Sequence, residues 1–194
     1  MAPKSTLLIE RPGDKGDVVV ITLNRPRRLN AMSFELMQEL YDALCALETD
    51  ARARVVVLLG AGKGFCSGAD LIAAATGRGG RRWKGSHFPN QQHFSRVILK
   101  LAAIPQPVIA CVHGHAAGGG FALALAADVR LAGASFKGHC AFVRLGLSGC
   151  EMGSSFFLPR YVGHSVASEL MLTGARPALP IYWGTPLASG EFLC

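Results

Sequence analysis

Two glycine-rich turns constrain this chain more than any other feature: Phe65-Cys66-Ser67-Gly68-Ala69-Asp70-Leu71, and His113-Gly114-His115-Ala116-Ala117-Gly118-Gly119-Gly120. Each follows a β-branched apolar run and precedes an alanine- or leucine-rich segment, so both read locally as strand, bare-backbone turn, helix. Such a turn aims unpaired amide N–H groups and the positive end of a helix at whatever lies before it. Two of them facing each other can hold a single oxygen that turns negative during a reaction. The spacing fits neither a P-loop, since no Lys-Ser/Thr pair follows the glycines, nor a Gly-x-Gly-x-x-Gly dinucleotide fingerprint after a first strand.

The rest of the chain supplies the elements such turns need. β-rich runs at 6–10 and Val18–Leu23 flank a Pro-Gly-bearing connection and read as a hairpin. After a polar loop, 24–31, Ser33 is the expected N-cap of a helix to about Thr49. Its Met37, Leu40, Tyr41, Leu44 and Leu47 repeat with helical period and form one buried face. The unbroken apolar run 55–59 predicts a strand covered on both faces. A Gly/Arg-rich loop, about 76–90, precedes a second amphipathic helix with Phe94, Val97, Ile98, Leu101 and Ile104 on one side, ended by Pro105 and Pro107. A strand at 107–112, a helix at about 121–127, a short strand Val129–Ala132 and a helix at 154–161 complete an α/β layer pattern with mostly parallel pairing.

With 194 residues, half of them hydrophobic, the chain can bury a sizeable core, and one core domain over 1–175 is expected. From Arg176 on, prolines and glycines break all periodicity, so 176–194 reads as a divergent, poorly ordered tail. The net charge of +7 is scattered, which suits an anionic small ligand and falls short of a nucleic-acid signature. The densest basic patch, Arg78–Lys84, reads as a solvated loop; its likeness to a single RGG unit leaves strand contact as the lesser alternative. The six cysteines form no CxxC pair and no zinc spacing, and several sit in apolar segments, so a reducing compartment is expected. No apolar run approaches bilayer-spanning length, and Met1 to Glu10 lacks a secretory h-region. The cytoplasm is the expected location, with mitochondrial and peroxisomal import left open.

Chemistry-bearing side chains are few. His113 and His115 lack a third ligand nearby and read as packing or backbone-bonding residues, so no metal site is expected. No Gly-x-Ser-x-Gly elbow and no Ser/His/Asp set stands out. Among the thirteen acids most fall on exposed faces; Asp70 follows the first turn and is placed to cap its helix. Glu151, in Gly149-Cys150-Glu151-Met152-Gly153, is a lone acid among apolar neighbours just before a helix, where a carboxyl suits proton shuttling. The alternative is an ordinary acid at a helix N-terminus.

Ordered along the chain, Arg25-Pro26 with Leu29-Asn30-Ala31-Met32, Gly64 to Leu71, Pro107 to Gly114, Gly118-Gly119-Gly120, Leu158-Pro159-Arg160 and Leu170 to Gly174 resemble the enoyl-CoA hydratase/isomerase (crotonase) superfamily from about residue 5 to 175. The resemblance implies a crotonase-like spiral of ββα units and a coenzyme A thioester as substrate, with coenzyme A entering only as part of that substrate and no permanently bound cofactor. It implies that the amides of Ala69 and Gly119 hold the thioester oxygen as it becomes an enolate. Ser67, Gly68, Ala69, Asp70 and Leu71 would line the adenine pocket, and Arg25, Leu29 and Ala31 would contact the nucleotide end. Two glutamates typical of the hydratases are replaced: Ala122 stands at the first position and Phe142 near the second. Glu151 falls where dienoyl-CoA isomerases and aryl-CoA dehalogenases carry an acid, which implies chemistry with a single general acid/base. Residues beyond 175 have no likeness to the usual C-terminal helical region, so this ending reads as a truncated or altered one. That sets the homotrimer or hexamer implied by the resemblance in question. The readings are therefore an acyl-CoA enzyme of fatty-acid type, a non-catalytic CoA-thioester binder and, as the least supported, an RNA-binding relative.

Overall fold

Each turn of the backbone lays one strand into a large sheet, steps across into a second layer, and leaves through a helical segment. In the computed structural model, which describes residues 5–76 and 88–175, the strands are β1 (Leu7–Glu10), β2 (Val18–Leu23), β3 (Val55–Gly60), β4 (Val108–Val112), β5 (His115–Ala117), β6 (Val129–Ala132) and β7 (Lys137–His139). The helices are α1 (Phe34–Glu48), α2 (Leu71–Thr76), α3 (Phe88–Ala103), α4 (Gly119–Leu125), α5 (Ser154–Val162) and α6 (His164–Thr173). The large sheet runs β1-β2-β3-β4-β6; β1 pairs antiparallel with β2, and every later pairing is parallel. β5 and β7 pair in parallel as a second layer, which single bridges extend through Cys66–Ala116 and Met32–Ala69.

The path is therefore repetitive. β2 leads to Met32 and α1, β3 to residues 66–69 and α2, β4 to β5 and α4, and β6 to β7 and a 3-10 turn, Ala141–Leu145. This is the spiral of ββα units that the sequence motifs imply. It makes the two glycine turns successive rungs, side by side.

The helices form where the apolar spacing places them. Ser33 accepts a bond from the Leu36 amide at 3.2 Å, a cap of the kind worth about 1 kcal/mol. Leu36, Met37, Leu40, Leu44 and Leu47 are buried, each contributing about 1.5–3 kcal/mol of transfer free energy. Tyr41 packs at the edge of this core half-buried. α3 lays Phe94, Val97, Ile98 and Leu101 against the same core. Every residue of α4 is buried, so this short helix is a core element rather than a surface one. No helix among the described residues is long and apolar enough to cross a membrane.

Several expectations change. β3 is not covered on both faces: Val56, Leu58 and Gly60 are buried, while Val55, Val57 and Leu59 are only half-buried. The core shared with α1 and α3 lies on one side of that strand. β4, further into the sheet, is buried everywhere except Ile109. α4 begins at Gly119, two residues before the expected start, because Gly118 (φ 51°) turns the chain and its carbonyl accepts the Ala122 amide at 3.0 Å. α3 begins at Phe88, inside the segment expected to be loop. β5 and β7 were not expected at all. The Arg78–Lys84 patch and the proposed tail at 176–194 lie outside the described residues, as does most of the expected 76–90 loop.

Candidate active site

The two turns meet along a ladder of main-chain bonds. Phe65 N donates to His113 O at 2.9 Å, Cys66 N to His115 O at 3.0 Å, and Ala117 N to Cys66 O at 3.0 Å. Glycine is required where these backbones touch. A Cβ on Gly120 would lie 2.2 Å from the Cys66 carbonyl oxygen, and one on Gly114 (φ 53°) 2.1 Å from the Lys63 oxygen. A Cβ on Gly68 (φ 89°) would lie 2.6 Å from Ala117 O and 3.4 Å from Gly119 N, so the residue before Ala69 abuts the start of α4.

The orientation of the Ala69 amide follows from its neighbours. Met32 N donates to Gly68 O at 2.8 Å and Asp70 N donates to Met32 O at 3.1 Å. Successive peptide groups of an extended chain point to opposite edges. With the groups flanking Ala69 turned toward Met32, its own N–H is turned the other way, toward the side on which the second turn lies. Among the described residues neither Ala69 N nor Gly119 N donates to a backbone carbonyl. Gly119 is the first residue of α4, where no intrahelical acceptor exists.

The residues expected at the nucleotide end divide into two groups. Leu29 (φ 50°) and Leu71 are exposed and Ser67 is half-buried, leaving them open to a ligand. Ala31, Gly68 and Asp70 are buried. The Asp70 carboxylate accepts from Arg25 Nη2 at 2.8 Å, from Arg28 Nη2 at 3.1 Å and from the Ala73 amide at 3.0 Å, the last bond capping α2. Arg25 also donates to the Ala31 carbonyl. Burial alone would raise the Asp70 carboxyl; the Ala73 amide and the two guanidinium groups outweigh it and hold the group below the usual carboxylate range. Asp70 is thus bound into the protein, and Arg25 spends its head group on the same cluster.

Glu151 opens a 3-10 turn, Glu151–Gly153, and is half-buried. The next residue, Met152 (φ 51°), is buried, with its sulfur 2.8 Å from where a Gly119 Cβ would sit. The methyl of Met32 is 2.2 Å from the same point, so two thioether side chains lie against the Gly119 Cα and tie the Glu151 turn to it. Ser154, fully buried three residues on, has no protein partner for its hydroxyl among the described residues. Ala122 and Phe142 are buried and apolar, and Phe142 packs beside Gly118.

Other chemistries find less support. Among the described residues no three His, Cys, Asp or Glu side chains come together as a metal site. His113 Nε2 lies 2.8 Å from the Gly62 carbonyl, a backbone bond as expected. Burial pushes the Cys66 and Cys140 thiols up to about 12, which removes thiolate chemistry from both. A cavity of about 430 Å³ lined by Val143, Leu147, Cys150 and Met171 includes none of the residues expected to hold substrate. Sequence reasoning missed the role of Asn30, whose signal was its place between a proline-bearing loop and an apolar helix. It also missed Met32 and Met152, which carry no such signal.

The sequence profile of the family described as Enoyl-CoA hydratase/isomerase matches residues 13–178. "Probable enoyl-CoA hydratase echA12" of Mycobacterium bovis is 44% identical over 183 residues, covering 88% of this chain and 60% of its own length. The 1,2-epoxyphenylacetyl-CoA isomerase of Escherichia coli K12 is 38% identical over 161 residues, covering 83% of this chain and 60% of its own. Among solved structures, an enoyl-CoA hydratase of Mycobacterium smegmatis superposes with a TM-score of 0.79 at 33% identity, over 91% of this chain and 65% of that one. A monofunctional enoyl-CoA isomerase of M. smegmatis gives 0.71 at 39% identity, over 89% and 70%. The chain thus spans about 60% of the length of these curated relatives. It belongs to the enoyl-CoA hydratase/isomerase family.

Proposed function

From that membership we propose that the chain forms the thioester-activating part of an acyl-CoA enzyme. The amides of Ala69 and Gly119 donate to the thioester oxygen as it becomes an enolate, and Glu151 serves as the single general acid/base. The observation that carries the proposal is a pair of main-chain amides with no backbone acceptor among the described residues, on adjacent rungs whose backbones touch. Donors fixed by the fold need no reorganisation when charge develops, and loss of one typically costs about 2.7–4 kcal/mol of transition-state stabilisation. Leu29, Ser67 and Leu71 are the exposed or half-buried residues left to meet the nucleotide end, while Arg25, Ala31, Gly68 and Asp70 shape the loop from beneath. Coenzyme A arrives with the substrate, and the reaction as proposed uses no resident cofactor.

With Ala122 and Phe142 apolar, two-carboxylate water addition has no second acid. Proton transfer along an enoyl chain, or a hydration served by Glu151 alone, fits the remaining groups. The test is Glu151→Gln, assayed for isomerisation and hydration of short enoyl-CoAs and for butyryl-CoA binding. Turnover is expected to fall by about 10²–10⁴ with affinity retained, the range of a lost general acid/base. Unchanged turnover removes Glu151 from the mechanism.

The same two apolar replacements favour a second reading, a CoA-thioester binder without chemistry. Stabilisation by CoA and crotonyl-CoA in a thermal-shift series, with no turnover of any enoyl-CoA, selects it. Stabilisation by RNA alone would instead point to the 78–84 segment.

A further inference from the structure

Asn30 makes no contact that the proposed chemistry needs, yet it is wholly buried and sits in the left-handed region at φ 54°. Its side-chain oxygen accepts from Arg25 N at 2.9 Å. Its side-chain nitrogen donates to Ala61 O and to Gly64 O, both at 2.8 Å. Its own main chain is used too: N donates to Arg25 O at 3.0 Å, and its carbonyl accepts the Cys66 thiol at 3.1 Å. One residue therefore closes the loop that begins at Arg25 and fastens it to the chain entering the first glycine turn, at Ala61, Gly64 and Cys66.

Only asparagine satisfies all of these demands. Aspartate would present an acceptor to two carbonyls, alanine would leave one buried donor and two acceptors without partners, and most other residues resist this backbone region. What lies beyond Asn30 explains the cost. Leu29 O accepts from Ser67 N at 3.0 Å, and Met32 bonds both residues that flank Ala69. Residues 29–32 are the template against which 67–70 is laid, and Asn30 fixes that template from its middle.

We infer that Asn30 is a positioning residue that sets the direction of the Ala69 N–H. The inference rests on the proposed role of that amide, and its test separates the two. Asn30→Asp keeps the shape and reverses the donor; Asn30→Gly keeps the backbone conformation and deletes the side chain, so the two disturb the same bonds in different ways. A core variant, Leu44→Val, chosen for a similar drop in Tm, serves as the control.

Amide hydrogen exchange read by NMR is expected to show the Met32 and Asp70 amides losing protection at least about tenfold in either Asn30 variant, as when a buried hydrogen-bond set is broken, with Val56 unmoved. The control should leave the three amides in their original ratio. Infrared spectra of bound butyryl-CoA should then show the thioester carbonyl, red-shifted by the wild type, returning at least halfway to its free frequency in the variants but not in the control. Unchanged protection at Met32 and Asp70 overturns the inference whatever the ligand does. Lost protection with an unaltered carbonyl shift overturns it as well, since Asn30 would then serve the fold alone. A wild-type complex without any red shift sinks the role of Ala69 proposed above, while the protection ratio still decides whether Asn30 directs this amide.

Discussion

Residues 60–70 are tied down by side chains reaching in from the 25–32 loop, whereas residues 114–120 are fitted into place by having almost none. The first turn shares in the glycine contacts through Gly64 and Gly68 but adds a polar clamp, with Asn30 bonded to Ala61 and Gly64 and Asp70 bonded to Arg25 and Arg28. The second depends on glycines whose missing Cβ atoms would strike Lys63 O and Cys66 O. Both turns carry an amide with no backbone acceptor among the described residues, but they fail differently. A polar clamp weakens by degrees as partners are removed; a backbone contact tolerates nothing.

The largest effect should come from Gly120→Ala, whose Cβ would sit 2.2 Å from main-chain oxygen with no side chain able to yield. A loss of about 3 kcal/mol or more in urea unfolding is expected, at the upper end for overpacking. A loss below about 1 kcal/mol would show that the rungs can part and would erase the contrast between the turns. Next comes Asp70→Ala, which removes the acceptor of two guanidinium groups and a helix cap. About 2 kcal/mol is expected, because charged bonds are lost but Arg28 stays partly hydrated.

A smaller effect lies in the pH dependence of the same clamp. The Asp70 carboxyl is held below its ordinary value, so the unfolded chain binds its proton first as pH falls. Its contribution is therefore complete above the unfolded carboxylate value of about 3.9 and disappears as pH drops through the lower folded one. The stability gap between wild type and Asp70→Asn, followed by chemical denaturation, should be constant near neutrality and close below about pH 4. A gap that persists at pH 2 would mean that shape, not charge, holds the clamp. The smallest effect should be Gly119→Ala. Its Cβ meets only the ends of Met32 and Met152, flexible groups that can move aside, so stability should change by no more than about 1 kcal/mol.

The parts of this molecule that were legible beforehand are those decided by local pattern. β2 falls where a β-branched run lies, β6 follows the break at Asp128 as expected, and α1 starts after Ser33 because its cap and apolar period agree. β5 and β7 were invisible, since His-Ala-Ala and Lys-Gly-His have no strand pattern and become extended by pairing with each other and, for β5, with Cys66. The half-covered state of β3 was misread because a continuous valine run looks the same whether one face or both are packed. At the site, glycine marked the turns themselves, and their proximity to the Glu151 turn follows from Met152. Asp70 was legible as the cap of α2, but the long-range bonds of the clamp were not, because Asn30 and Asp70 find those partners 31 to 45 positions away. Nor could sequence tell that Asp70, counted among the residues for the adenine pocket, turns its carboxylate into the protein.

The coil by which the backbone reaches the site also separates two kinds of freedom. The steps in the second layer return to adjacent positions, so solvent-facing positions between them, such as Leu99 on α3, are free to change while the core face of that helix is not. A single added residue within 66–70 or 115–119 has no such shelter, because it would rotate every later peptide group to the opposite edge. Exposed positions along such a coil are free to drift while the inner steps stay the same length.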